Sequence, residues 1–124
     1  MKSRFHIRQS DVAPYSPANH TGTKNFRMIG PETVGARQVE MLIGELEGGK
    51  GALPHAHPGI EQVCYLLEGE AHVEVEGEKF DLKPGEACFF PAEAKHLFVA
   101  TSPKVRVMVI YAPPYGEDPG KVIR

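Results

Sequence analysis

His55 and His57 stand two residues apart, and His96 follows thirty-nine positions later. In a strand, alternate side chains share a face, so His55 and His57 point the same way. Neutral imidazole is a strong ligand for divalent transition metals, and Glu61 or Gln62 just downstream would add a fourth, oxygen donor. An isolated His-x-His pair arises by chance on surface strands, so its setting decides how much it weighs. The ion is open among nickel, iron, manganese, zinc and copper, since His-rich sites accept all of them. A protonated imidazole cannot coordinate, so affinity is expected to fall as pH drops through the imidazole range.

The elements that must bring these residues together are short strands. The 124 residues suffice for one domain that stands without metal or disulfide staples, so a metal here is expected to be functional. The 13 Gly and 11 Pro punctuate the chain with turns. Residues 11–25 are rich in turn formers and read as an extended arm. Strand-like runs follow at 26–29, 39–46, 63–67, 71–76, 79–82, 87–90, 96–99 and 105–111, with turn signals between them and a hairpin at Gly77-Glu78. No helical period lasts three turns. Residues 113–120, with three Pro and two Gly, are expected to lie irregularly on the surface. The division is an arm at 1–25, a β-barrel at 26–112 and a tail at 113–124.

A net charge of −2 with scattered Lys and Arg gives no basic field, which excludes nucleic acid as an expected partner. Cys64 and Cys88 sit in apolar runs without Cys-x-x-Cys spacing and read as buried core thiols, as in a reducing cytoplasm. No leader-like segment and no run of apolar residues long enough for a bilayer is present, so a soluble cytoplasmic protein without membrane partners is expected. His72 alternates with Glu74 and Glu76 on a wet face, and His6 and His20 read as surface residues. An arm folding across a partner subunit would bring His20 near a pocket. Tyr65, Met108 and Tyr111 read as core. Arg106 is expected to face outward, because Val105, Val107 and Val109 make the better core face; turned inward, it would clamp an anionic substrate. The chain contains no defensible Ser-His-Asp set, phosphate-cradling glycine loop or paired-carboxylate pattern.

Taken together, Gly49, His55, His57, Gln62, Gly69, Gly85, Pro91 and His96 resemble the two motifs of the cupin superfamily, with Glu68-Gly69-Glu70 and Lys83-Pro84-Gly85-Glu86 similar to its turns. The resemblance implies an all-β fold, a cupin-like double-stranded β-helix (jelly-roll, RmlC-like) barrel of the single-domain kind, holding one divalent ion. His55, His57 and His96 carry over as ligands. Counting back from Gly69 gives Gln62 as the fourth ligand, and the shorter gap from His57 gives Glu61; Gln62 is preferred. Phe98, sharing the parity of His96, and Cys64 and Leu66, sharing that of Gln62, are the expected pocket wall. Glu93 stands where the second motif often has Gly, and Ala100 where it often has Asn, which implies a remodelled turn and a less polar pocket floor.

Three neutral imidazoles and an amide leave the ion its full charge, which suits Lewis-acid chemistry. Some monocupins with Gln at this position act on uronate sugars. The leading expectation is therefore a metal-dependent enzyme acting on a carbohydrate acid or other small organic acid, of isomerase, lyase or decarboxylase type. Its proton-transfer residue is unassigned; Glu61 and Tyr65 qualify only if they face inward. A non-catalytic metabolite-binding cupin is the alternative, followed by an iron-dependent dioxygenase. A homodimer is expected from exposed sheet edges and the proline-rich arm.

Overall fold

The computed structural model describes residues 3–17 and 22–124, so His20 lies outside the described residues. Among these, nine strands form: β1 (Thr23–Ile29), β2 (Glu40–Glu47), β3 (Gly51–His55), β4 (Glu61–Glu68), β5 (Ala71–Val75), β6 (Glu78–Leu82), β7 (Ala87–Phe90), β8 (His96–Ala100) and β9 (Lys104–Ala112). An antiparallel five-stranded sheet in the order β1-β2-β9-β4-β7 lies against a four-stranded sheet in the order β3-β8-β5-β6, giving the expected all-β jelly-roll barrel. Among the described residues, no helix is long and apolar enough to cross a membrane.

Period-two alternation builds the core. On β9, Val105, Val107 and Val109 point inward, while Arg106 faces outward beside Glu45 at 3.5 Å, as its neighbours foretold. On β4 the inward set is Gln62, Cys64 and Leu66. Leu66, Val73 and Val105 are wholly buried, each burial worth roughly 1.5–3 kcal/mol. This parity corrects two expectations: Tyr65 is not core but 37 % exposed, on the outer face with Leu67 and Phe89, and Met108, opposite Tyr65 on β9, is half-buried on that same outer face. Both faces of β4 are apolar in sequence, so hydrophobicity alone cannot choose between them.

The remaining differences are local. β3 escapes a reading by alternation because Leu53 and Pro54 are both exposed. The β5–β6 turn is Glu76-Gly77, one residue earlier than expected, with both residues at positive φ as a tight hairpin turn of primed type requires. β1 starts at Thr23, within the segment read as arm, and a single helical turn, α1 (Pro31–Val34), fills the loop before β2. At Gly69 a side chain is impossible: φ is +88°, and a Cβ would lie 2.2 Å from the Lys104 carbonyl oxygen.

The tail departs most from expectation. It does not lie loosely on the surface. Pro114 and Tyr115 are buried, and Ile123 exchanges two 2.7 Å backbone hydrogen bonds with Ala56. A segment rich in Pro and Gly lacks period but still has backbone groups and a tyrosine with which to dock.

Candidate metal centre

His55 ends β3 and His96 begins β8, and the two are directly opposed in the antiparallel register. His57 lies two residues further on, past the Ala56–Ile123 bridge, so it keeps the facing of His55. The three imidazoles offer ligand atoms within 4.8 Å of one another. Two nitrogens at about 2.1 Å from a shared ion are at most about 4.2 Å apart, and about 3.4 Å apart in a tetrahedral shell, so a pair at the 4.8 Å limit must close by about 0.6 to 1.4 Å to share one.

Each ring is oriented by its other nitrogen. Nδ1 of His55 is 2.7 Å from the Leu53 carbonyl, Nδ1 of His57 3.0 Å from that of Lys121, and Nδ1 of His96 3.0 Å from that of Ala94. A carbonyl only accepts, so each Nδ1 carries the proton and donates, which leaves the Nε2 lone pairs for a ligand. Among the described residues, the Nε2 atoms of His57 and His96 are buried without a hydrogen-bond partner. Burial lowers the pKa of all three imidazoles: His55 below the ordinary range, His57 to about 4 and His96 to about 3, with the charge of Arg124 adding to the effect at His55 and His57 and that of neighbouring imidazoles at His57 and His96. The neutral form thus persists well below the ordinary imidazole range, which moves the expected loss of binding toward more acidic pH.

Gln62 on β4 is 7 % exposed and reaches in from the opposite sheet, whereas Glu61 faces solvent. The Gln62 amide nitrogen donates to the Cys64 sulfur at 3.6 Å, which assigns Oε1 to the other side, where it is buried and unpartnered. Three orphaned acceptors are costly, at about 1–3 kcal/mol each; a cation held by the imidazoles would satisfy the two Nε2 atoms at once, and Gln62 lines the same cavity as His55 and His96. The donor set fits a divalent transition metal on these grounds.

Aromatic rings wall the cluster. Phe90 stacks on His96, with centroids 4.0 Å apart and planes 7° apart; Tyr115 packs on His57 at 4.4 Å, and Tyr111 lies 5.4 Å from it. A cavity of about 60 Å³ runs from His55, Gln62 and His96 into the barrel, past Phe98, Cys64 and Tyr111. Leu66, expected in the wall, lies instead in the core. Burial pushes the Tyr111 phenol well above its usual pKa, so it is a neutral hydrogen-bond donor.

Glu93 shows why glycine suits its position. Its φ is +67°, in the left-handed region, and the turn is held because its N–H donates to the His57 carbonyl at 3.1 Å and its carboxylate accepts from the Gly59 N–H at 3.0 Å. The remodelled turn thereby ties the His57 loop to the turn before His96. His72 and His6 stay apart from the cluster. His72 sits between Glu74 at 2.9 Å and Asp81 at 3.1 Å, which raise its pKa, and His6 is exposed.

Sequence reading missed Tyr111, Tyr115 and the Lys121 carbonyl. Tyr111 was within reach, because it shares the parity of Val105, Val107 and Val109. Nothing in the side chain of Lys121 announces what its carbonyl does.

The chain is similar to known proteins in sequence and in fold. The chain is 28 % identical to the polyketide synthase protein CurC of Streptomyces cyaneus over 90 % of this chain and 73 % of that one. The polyketide cyclase RemF of Streptomyces resistomycificus superposes with a TM-score of 0.78 at 23 % identity, covering 100 % of this chain and 85 % of RemF. KdgF from Halomonas sp. superposes with a TM-score of 0.77 at 23 % identity, covering 87 % of this chain and 94 % of KdgF. At that identity the two structures speak for the fold alone. The family profile described as "Cupin domain" matches residues 42–112, more than half of the sequence and all four converging side chains, and the chain belongs to that family.

Proposed function

We propose that this protein is a metal-dependent cupin enzyme acting on a small, oxygen-bearing organic molecule. The observation that carries the reading is the gathering of buried acceptors near His55, the Nε2 atoms of His57 and His96 and Oε1 of Gln62, which have no hydrogen-bond partner among the described residues. Held by these four residues, a divalent ion would polarise a substrate carbonyl, carboxylate or enol oxygen. The Tyr111 phenol, neutral and on the cavity wall, would donate a hydrogen bond or proton to a substrate oxygen. Phe90, Phe98 and Tyr115 exclude water and face an apolar ring or chain.

Such a site suits isomerase, lyase, decarboxylase or ring-closing chemistry. Two substrate classes follow from different observations. The guanidinium of Arg124 acts through its charge on the Tyr115 phenol and on His55 and His57, which supports an anionic group such as that of an organic or carbohydrate acid. The aromatic wall, together with likeness to proteins named as a polyketide synthase and a polyketide cyclase, supports a carbonyl-rich polyketide chain. Metal analysis of purified protein, then turnover of both classes by metal-stripped and reloaded protein, tests the proposal. Turnover lost on stripping and restored by one ion supports it. Ligand binding that is indifferent to metal favours a non-catalytic binding cupin, and oxygen consumption that requires iron favours a dioxygenase.

A further inference from the structure

The C-terminal segment is tied down by a buried acid that the proposed chemistry does not use. Glu40, at the start of β2, is 1 % exposed. One carboxylate oxygen accepts from Nε of Arg27 at 2.6 Å, and the other accepts from the backbone N–H groups of Tyr115 and Gly116 at 3.0 and 2.9 Å. From that anchor the chain turns through Asp118, whose side chain accepts from the Gly120 N–H at 2.9 Å, and Nζ of Lys121 donates back to the Pro114 carbonyl at 3.3 Å. The segment then delivers the Lys121 carbonyl to Nδ1 of His57 and the Ile123 backbone to Ala56, the residue between the two histidines. Ala56 needs this partner, because β3 is an edge strand of its sheet.

We propose that residues 113–124, anchored by Glu40, form a positioning strap of the metal site, holding His57 as the Nδ1–H tautomer with its Nε2 lone pair aimed inward. The proposal rests on the metal reading above. Glu40 touches neither ion nor substrate; it acts through Tyr115 and Gly116, and the strap acts through His57. His57 is singled out because its acceptor comes from 64 residues away, whereas His55 and His96 each use a carbonyl two residues back along their own segment. The docking of the strap therefore sets one ligand of the three.

Ile123→Pro removes the N–H that Ala56 accepts while changing a side chain that is 60 % exposed. The expected result is a Zn²⁺ dissociation constant raised about tenfold or more, as when other oriented metal ligands lose their outer partner, with the β-sheet spectrum unchanged. In the metal-free variant, ¹⁵N NMR is expected to show His57 as a mixture of tautomers instead of Nδ1–H alone. Glu40→Gln, which keeps an acceptor oxygen, should lose less Zn²⁺ affinity than Glu40→Ala. If Glu40→Ala fails to fold, Ile123→Pro still decides. Wild-type affinity and an unmixed His57 tautomer in Ile123→Pro would overturn the strap, and undiminished affinity in a folded Glu40→Ala would overturn its anchor. If the wild type itself takes up no Zn²⁺, the metal reading falls while the tautomer measurement still judges the strap.

Discussion

Replacing Gln62 by Met should make the metal-free protein more stable and its metal-loaded form less so. The Gln62 carbonyl oxygen is buried without a partner among the described residues, and methionine has similar volume with no oxygen to leave unsatisfied. An orphaned buried acceptor costs about 1–3 kcal/mol, and the adjacent cavity of about 60 Å³ has room for a water that would offset part of this, so the lower end, about 1 kcal/mol, applies. The lost contact from the amide nitrogen to the Cys64 sulfur, at 3.6 Å, is a weak one. With an unfolding entropy of about 2.1 cal/mol/K per residue over 124 residues, 1 kcal/mol corresponds to about 4 °C. Metal at about a hundred times the dissociation constant adds about 2.7 kcal/mol to the wild type, or about 10 °C. A variant binding tenfold more weakly gains about 1.4 kcal/mol, or about 5 °C, at the same concentration. Thermal unfolding of chelator-treated protein, with and without added Zn²⁺, reads both quantities. A metal-free variant melting below the wild type, or equal metal-induced shifts in the two proteins, would refute the reasoning.

Three further outcomes follow from the same structure. The three site histidines have depressed pKa values, to about 4 for His57 and about 3 for His96, so the metal-free protein should have full stability above about pH 6.5, where neither folded nor unfolded chain holds these protons. Below that the unfolded chain protonates first, and stability should fall until about pH 3; urea midpoints that stay flat from pH 7 to 4 would contradict buried neutral imidazoles. Leu66→Ala should cost about 2–5 kcal/mol in urea unfolding yet leave Zn²⁺ affinity unchanged, because Leu66 is wholly buried in the core and off the cavity wall. Glu93→Gly relieves a left-handed backbone worth about 1 kcal/mol and gives up a hydrogen bond worth about the same, so its melting temperature should stay near that of the wild type; a loss above about 2 kcal/mol would show that the carboxylate matters more than the strain.

The strands that bury one face were legible in the sequence because alternation is a two-residue signal. Val105, Val107 and Val109 gave both the β9 face and the outward course of Arg106. The signal fades where both faces are apolar, as on β4, and there Tyr65 was misassigned while the choice between Glu61 and Gln62 needed an outside anchor. That anchor was Gly69, whose position is fixed by a steric fact: no side chain fits against the Lys104 carbonyl. β3 was hidden for the opposite reason. With Leu53 and Pro54 exposed it has no buried face to announce, and it is held as a strand by its pairing with β8.

The candidate site divides along a chemical line. Side chains that would touch an ion must be of the few ligating types, here His and an amide oxygen, so their identities are written in the sequence and their spacing could be read. The groups that orient the imidazoles are backbone carbonyls at Leu53, Ala94 and Lys121, which every residue type carries equally. Two of these lie two residues before the histidine they hold, so local chain geometry supplies them. The third depends on a tail whose docking rests on Glu40, the acid on the buried face of β2. A buried carboxylate must find donors to remain in the core, and Glu40 finds one guanidinium and two backbone N–H groups. An acid at a core position is thus the trace that the tail's docking leaves in the sequence. It points to the need for a partner, and only the fold reveals that the partner is the segment closing over His57.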